Sequence, residues 1–188
     1  MNSDSTPLQQ ALLGLIPKLR AFAISLCGDV DRADDLVQET LLKAWDHLDS
    51  FEEGTNLRAW LFTILRNSYF SEYRKRRREV EDRHGQMAES LSVHPDQHGH
   101  VDMQDFRRAL ALLPPDQREA LILVGAAGFS YEEAANVAGC AVGTVKSRVN
   151  RARTKLTELL GIATTRDFGP DSTTEAIVTR RIGVGHNA

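Results

Sequence analysis

The stretch Ala135–Leu156, ANVAGCAVGTVKSRVNRARTKL, decides the fold of this chain. Gly139 offers the corner of a tight turn, because only glycine takes positive φ without steric cost, and Ala135 is small enough for a second helix to approach. Upstream, Ser130 and Glu133 have the spacing of a capping box for the helix that precedes the corner. Downstream, Val145, Val149, Ala152, Leu156 and Leu159 recur at helical spacing and predict a buried stripe. Thr144, Lys146, Ser147, Arg148, Asn150, Arg151 and Arg153 fall on the other faces. Lys146 to Lys155 holds five basic side chains and no acidic one, as a helix lying among phosphates in a major groove requires. The reading is a helix-turn-helix that meets duplex DNA; the plainer alternative is a helical hairpin with a solvated basic face.

Working outward, 188 residues suit one large or two small domains, and the internal punctuation favours two. A net charge of -3 argues against unspecific polyanion binding over the whole surface. Local asymmetry says more. Residues 1–65 carry ten acidic and five basic side chains, whereas 66–83 carry seven basic and four acidic. Such segregation predicts one face for nucleic acid and another for a protein partner. Cys27 and Cys140 are too few for a disulfide framework and read as small buried hydrophobes in a reducing compartment. His94, His98 and His100 have no matching cysteine pair, so neither a metal nor another cofactor is expected. No basic-then-apolar leader opens the chain, and the longest apolar stretch, around Ala120–Phe129, is too short to cross a bilayer. The expected location is the cytoplasm, with no membrane partner.

Apolar residues repeat at helical spacing almost throughout, and no stretch alternates with period two for long, so the predicted class is all-α. A first helix is expected from Pro7 to Leu26, ending at Gly28, and a second, capped by Asp29 or Asp31, runs to about Leu48. Asp49–Asn56 reads as a loop and Leu57–Arg83 as a long third helix. Between His84 and Val101 the composition turns to Gly, Ser, His, Gln and Pro, which fits a flexible linker, acidic from Glu89 to Asp105. Four more helices are expected at Asp105–Leu113, Pro115–Ala127, Ser130–Ala138 and Val142–Gly161, with Pro115 suited to a first turn. The division is therefore 7–83, a linker at 84–103, a second domain at 104–161, and a disordered tail at 162–188.

Two constellations carry functional content. In the second helix Ala33, Leu36, Val37, Leu41, Ala44, Trp45 and Leu48 form the apolar side, and Asp34, Asp35, Gln38, Glu39 and Asp46 decorate the rest. No positioned histidine, glycine-rich phosphate cradle or nucleophile with a base accompanies those carboxylates, so they do not read as an enzyme site. They suit either a solvated face or a docking surface for a basic helix. In the third helix Arg66, Phe70, Tyr73, Arg74 and Arg77 follow one face, with Asn67 beside them. Rings next to guanidinium groups suit unpaired bases and their phosphates, each stacked base contributing about 1–3 kcal/mol. The rival fate for Phe62, Tyr69 and Tyr73 is the core. The run Arg74–Arg78, five consecutive cations, fits nucleic acid better than solubility.

These residues carry a resemblance. Asp-Asp-Leu-Val-Gln-Glu-Thr (34–40), Arg-Ala-Trp-Leu-Phe-Thr-Ile-Leu-Arg-Asn (58–67) and Gly-Thr-Val-Lys-Ser-Arg-Val-Asn-Arg-Ala-Arg (143–153), in this order, resemble the bacterial sigma factors of the two-domain extracytoplasmic-function group over residues 7–161. Gly128–Ala135, Gly139–Ser147 and Arg74–Val80 are similar to the subgroup called EcfG, which runs the general stress response of alphaproteobacteria. The resemblance implies a sigma-2-like domain and a sigma-4-like domain. It implies that Asp35, Gln38 and Glu39 grip the β′ clamp helices of core RNA polymerase, whose β flap is a further partner. Arg66 and Asn67, with the loop from Phe51 to Asn56, would open the promoter −10 element, and Phe70, Arg74 and Arg77 extend that face. Lys146, Ser147, Asn150 and Arg151, flanked by Thr144 and Arg148, would read the −35 element. It further implies an anti-sigma protein of the NepR type, which would share an apolar patch on each domain with polymerase, and a linker that follows the path of nascent RNA. Ala141 departs from the pattern, standing where a capping residue is expected. Two other functions suit parts of the chain: a dimeric helix-turn-helix repressor, and a sigma mimic that sequesters an anti-sigma protein.

Overall fold

The computed structural model describes residues 7–52, 54–83 and 103–161, and among them every regular element is a helix. The expected linker, except for Met103, and the expected tail at 162–188 lie outside the described residues. The first half comprises α1 (Pro7–Cys27), α2 (Val30–Asp46), a 3-10 turn at Leu48–Ser50 and α3 (Leu57–Arg83). The second comprises α4 (Met103–Ala111), α5 (Pro115–Gly125), α6 (Tyr131–Ala138) and α7 (Val142–Leu160).

Local chemistry sets most of the boundaries. Gly28 turns left-handed at φ 71° after α1, and the Asp29 carboxylate then accepts from the Arg32 amide at 2.8 Å to cap α2. Pro115 opens α5. Two ends differ from the sequence reading. α4 begins at Met103 and stops at Ala111 rather than reaching Leu113, because Pro114 disfavours helical backbone in the residue before it. α5 stops at Gly125 rather than Ala127 because Gly128, at φ 70°, reverses the chain and sends the Phe129 ring into the core.

Each helix buries the stripe its spacing defines. In α1 these residues are Leu12, Leu19, Phe22, Ala23 and Leu26; in α3 they include Leu61, Phe62, Leu65 and Tyr69. By length and composition α1 is the one described helix able to cross a bilayer. That corrects the expectation that the stretch near Ala120–Phe129 is the longest apolar one. The α1 stripe packs against α2, α3 and α5 instead. α2 holds a second correction. Trp45, assigned to its apolar side, is 59% exposed, and the buried positions are Ala33, Leu36, Val37, Thr40 and Ala44. Thr40 is tolerated there because its hydroxyl donates to Leu36 O at 2.7 Å.

A single buried cluster runs through both halves. Phe62 of α3 stands at its centre, stacked on Phe22 of α1 at 4.8 Å and meeting the edge of Phe129 at 5.0 Å. The two halves are therefore packed together, a point on which the sequence is silent.

Candidate functional site

The helix-turn-helix is built as the residues dictate. The Ser130 hydroxyl accepts from the Glu133 amide at 3.1 Å, and Glu133 Oε2 accepts from the Ser130 amide at 2.9 Å, which closes the capping box. Gly139 is left-handed at φ 63°, and Cys140 N–H then bonds back to Ala135 O at 3.1 Å. A Cβ on Gly139 would meet nothing within 4 Å, so glycine is required there by backbone conformation and not by crowding. Val145, Val149, Ala152 and Leu156 seal α7 onto the second half. Ala141 occupies the N-cap of α7 without a side-chain hydrogen bond, so that helix start lacks the brace that α6 has.

The six residues expected to meet the −35 element share α7 but differ in posture. Asn150 and Arg151 are exposed, and Lys146 is exposed with its ammonium 5.7 Å from the Tyr131 ring centroid. Thr144 and Ser147 are half-buried, and the Ser147 hydroxyl donates to Thr144 O at 2.9 Å. Arg148 is turned inward: its Nε lies 3.1 Å from Asp116 of α5, and its Nη1 reaches Cys140 Sγ at 3.6 Å. Cys140 and Cys27 are free and only half-buried, and burial raises the Cys27 thiol above its ordinary pKa.

On α2, Asp35, Gln38 and Glu39 all face solvent. Helical spacing continues that face through Leu42, 67% exposed, to Trp45. A carboxylate and amide surface thus runs into two large apolar side chains. Trp45 also closes a shallow groove with Leu12, Leu13, Ile16 and Leu41. Glu39 accepts from the Lys43 ammonium at 2.5 Å, and Lys43 also donates to Ser68 of α3 at 2.8 Å.

The face expected to meet the −10 element divides. Asn67, Arg74 and Arg77 are exposed, and Tyr73 is part-exposed, stacked 6.2 Å from the buried Tyr69. Phe70 is half-buried, edge-on to Tyr69, with the Arg66 guanidinium 4.7 Å from its centroid. Phe51 packs on Trp60 at 5.1 Å. Asn56 starts α3 by accepting from the Ala59 amide at 3.0 Å, and its Nδ2 donates to Glu133 of the second half. Arg66 also reaches the second half, where its Nε pairs with Glu119 of α5 at 2.7 Å.

Glu119 is fully buried and its Oε2 finds no hydrogen-bond partner among the described residues. Burial pushes its pKa up to about 7, because the loss of hydration outweighs the attraction of Arg66 and Arg148. Arg118, its neighbour, is buried as well and donates to Leu26 O of α1 at 2.7 Å and to Ala111 O and Leu113 O of its own half. Arg58 of α3 donates to Ala127 O and lies 3.8 Å over Phe129. The sequence reading missed Arg58, Arg118 and Glu119. An Arg-Glu pair ahead of an apolar run reads as a solvated helix start, and no local signal marks a partner more than fifty positions away.

Comparison with known proteins places this architecture. Residues 14–79 match Sigma-70 region 2, and residues 103–156 match Sigma-70 region 4. Over 171 residues the chain is 62% identical to the ECF RNA polymerase sigma factor EcfG of Rhodopseudomonas palustris, covering 91% of this chain and 94% of that one. It is 39% identical over 135 residues to the ECF sigma factor SigC of Mycobacterium tuberculosis, covering 71% and 72%. The sigma factor RpoE of Bartonella quintana, solved with the anti-sigma factor NepR, superimposes with a TM-score of 0.73 at 58% identity, covering 85% of this chain and all of that one. The chain belongs to the extracytoplasmic-function RNA polymerase sigma factors, which confer promoter specificity at initiation, and is a homologue of EcfG.

Proposed function

We propose that this sigma factor directs RNA polymerase to general-stress-response promoters and is restrained by an anti-sigma factor of the NepR type. The observation that carries the proposal is the extent of its likeness to EcfG, together with its likeness to a sigma factor solved with NepR. The chain acts in the cytoplasm, where polymerase is, and has no catalytic step of its own; phosphodiester chemistry belongs to the polymerase. Residues 7–83 hold the clamp and the melted −10 strand, 104–161 read the −35 duplex, and 84–103 connect them.

In this reading Asp35, Gln38 and Glu39 meet the β′ clamp helices, with exposed Leu42 and Trp45 supplying apolar area beside the charge. Asn67, Phe70, Arg74 and Arg77 meet unpaired strand, joined by Arg66, Asn56 and Phe51. Lys146, Ser147, Asn150 and Arg151 face the −35 groove, with Thr144 and Arg148 at its edge. A second apolar groove, lined by Phe106, Leu110, Leu121 and Leu156 together with Ser25 of α1, offers a further protein-binding patch for the β flap or the anti-sigma factor. These exposed patches support a chain that passes between partners. Run-off transcription with purified core polymerase tests the docking assignment. Gln38→Ala/Glu39→Ala should weaken polymerase capture about tenfold with unchanged helicity. Full transcription by that variant refutes it.

A further inference from the structure

α7 is seated on the second half by Val145, Val149, Ala152 and Leu156, and this buried stripe fixes where the helix lies. It does not fix where the cations on the outer faces point. Arg148 stands one turn after Thr144 and one turn before Arg151, so helical spacing alone puts it on the strip offered to duplex DNA. It is nevertheless only 22% exposed, because α5 and the corner claim its head. Asp116 Oδ2 lies 3.1 Å from its Nε, Cys140 Sγ lies 3.6 Å from its Nη1, and Glu119, one turn beyond Asp116, attracts the same guanidinium. Asp116 sits in the first turn of α5, where the helix dipole favours a carboxylate. With that carboxylate 44% exposed, the pair adds little to stability. Its consequence is orientation: the planar fork is held toward α5 and away from the groove.

We propose that Asp116 is a specificity-determining positioning residue: it anchors Arg148 at the margin of the recognition face, so that base edges are left to Lys146, Ser147, Asn150 and Arg151. A released arginine at that place would find phosphates in any duplex, because the backbone offers the same anion whatever the base pairs are. It would strengthen binding to unrelated duplexes more than to the preferred one, where Asn150 and Arg151 already occupy the groove. The anchor thus trades unspecific affinity for discrimination. The inference rests on the proposed reading of the −35 duplex by α7.

The test uses the full chain and two duplexes, one selected by the wild type from a random pool and one scrambled from it. Asp116→Asn, nearly isosteric, should leave helicity unchanged, lower the ratio of the two affinities about fivefold, and steepen the salt slope on the scrambled duplex by about one. Asp116→Glu keeps a carboxylate within reach and should hold both values near wild type. In an Arg148→Met background Asp116→Asn should change neither, because the anchored side chain is gone. A wild-type ratio in Asp116→Asn, or an equal fall with and without Arg148, overturns the anchor. So does a ratio in Asp116→Glu as low as in Asp116→Asn. Arg151→Ala, measured alongside, separates the two claims. A ratio that falls in Arg151→Ala but not in Asp116→Asn removes the anchor alone, whereas a wild type that selects no duplex removes the reading by α7 on which the anchor depends.

Discussion

Helices α3 and α7 are both rich in arginine, yet they direct it differently. On α7 Asn150 and Arg151, proposed to read the −35 element, stand in solvent while Arg148 turns to Asp116. On α3 the stretch Arg74–Glu79 stands in solvent, whereas Arg58 and Arg66 are drawn into the other half. The difference lies in what the rest of the fold offers each cation. A guanidinium leaves water only where a carboxylate, carbonyl or ring waits for it, since its stem buries readily and its head does not. Asp116 does this for one residue of α7; Glu119, Ala127 and Phe129 do it for two of α3. The surface proposed for the −35 element is thus displayed through Lys146, Asn150 and Arg151, and the one proposed for the −10 element is partly stored.

The sharpest way to break this comparison is through Glu119. Its pKa rises from 4.5 to about 7 on folding, so the folded chain holds one more proton than the unfolded chain between those values. Stability should be greatest at the acid end of that window, fall by about 3 kcal/mol as pH rises through it, and level off above 7. The charged groups facing Glu119 are Arg66 of α3, Arg148 of α7 and Asp116 of α5. Glu119→Gln, neutral at all pH, should remove the slope, measured as the difference from wild type in urea unfolding between pH 5 and 8.5 in steps of about one unit. Parallel curves for the two proteins would mean that Glu119 is not held out of water, and the stored surface would lose its anchor.

A smaller effect sharpens the displayed surface. Arg151→Ala should weaken binding to a −35 duplex by about 2 kcal/mol and relax preference at one base pair, as loss of a bidentate base contact requires. Uniform weakening over all sequences, with a shallower salt dependence, would make Arg151 a phosphate contact instead. The smallest effect concerns the brace missing from α7. Ala141→Ser should stabilise the second half by about 0.5–1 kcal/mol, read as a higher thermal midpoint. No shift would mean that the start of α7 is already satisfied by its tertiary neighbours.

Much of this molecule is legible in its residues because the governing interactions are local. Ser130 and Glu133 lie one helical turn apart, Gly139 alone permits the corner, and the Val145–Leu156 stripe needs only the period of a helix. The same holds for Gly28, Asp29 and Pro115, whose effects reach no further than a few residues. Three sequence motifs in order carry the family resemblance, and with it the expected sites. Reading fails where a residue's fate depends on a distant surface. Trp45 has the spacing of a core residue and is exposed, because Leu36, Val37, Thr40 and Ala44 already fill the α2 interface. Phe62 and Tyr69 are core while Tyr73 is not, a choice made by how far α1 and α2 extend along α3.

The sequence alone thus determined the helical class, the corner of the helix-turn-helix, the basic and acidic faces, and the family to which they belong. Only the tertiary structure decided that the halves pack through one core and that Arg58, Arg66 and Arg118 cross between them. The reason is range. Backbone conformation and helical periodicity are set within a turn or two of chain, whereas a buried carboxylate and the guanidinium that meets it are joined by proximity in space, which no local pattern encodes.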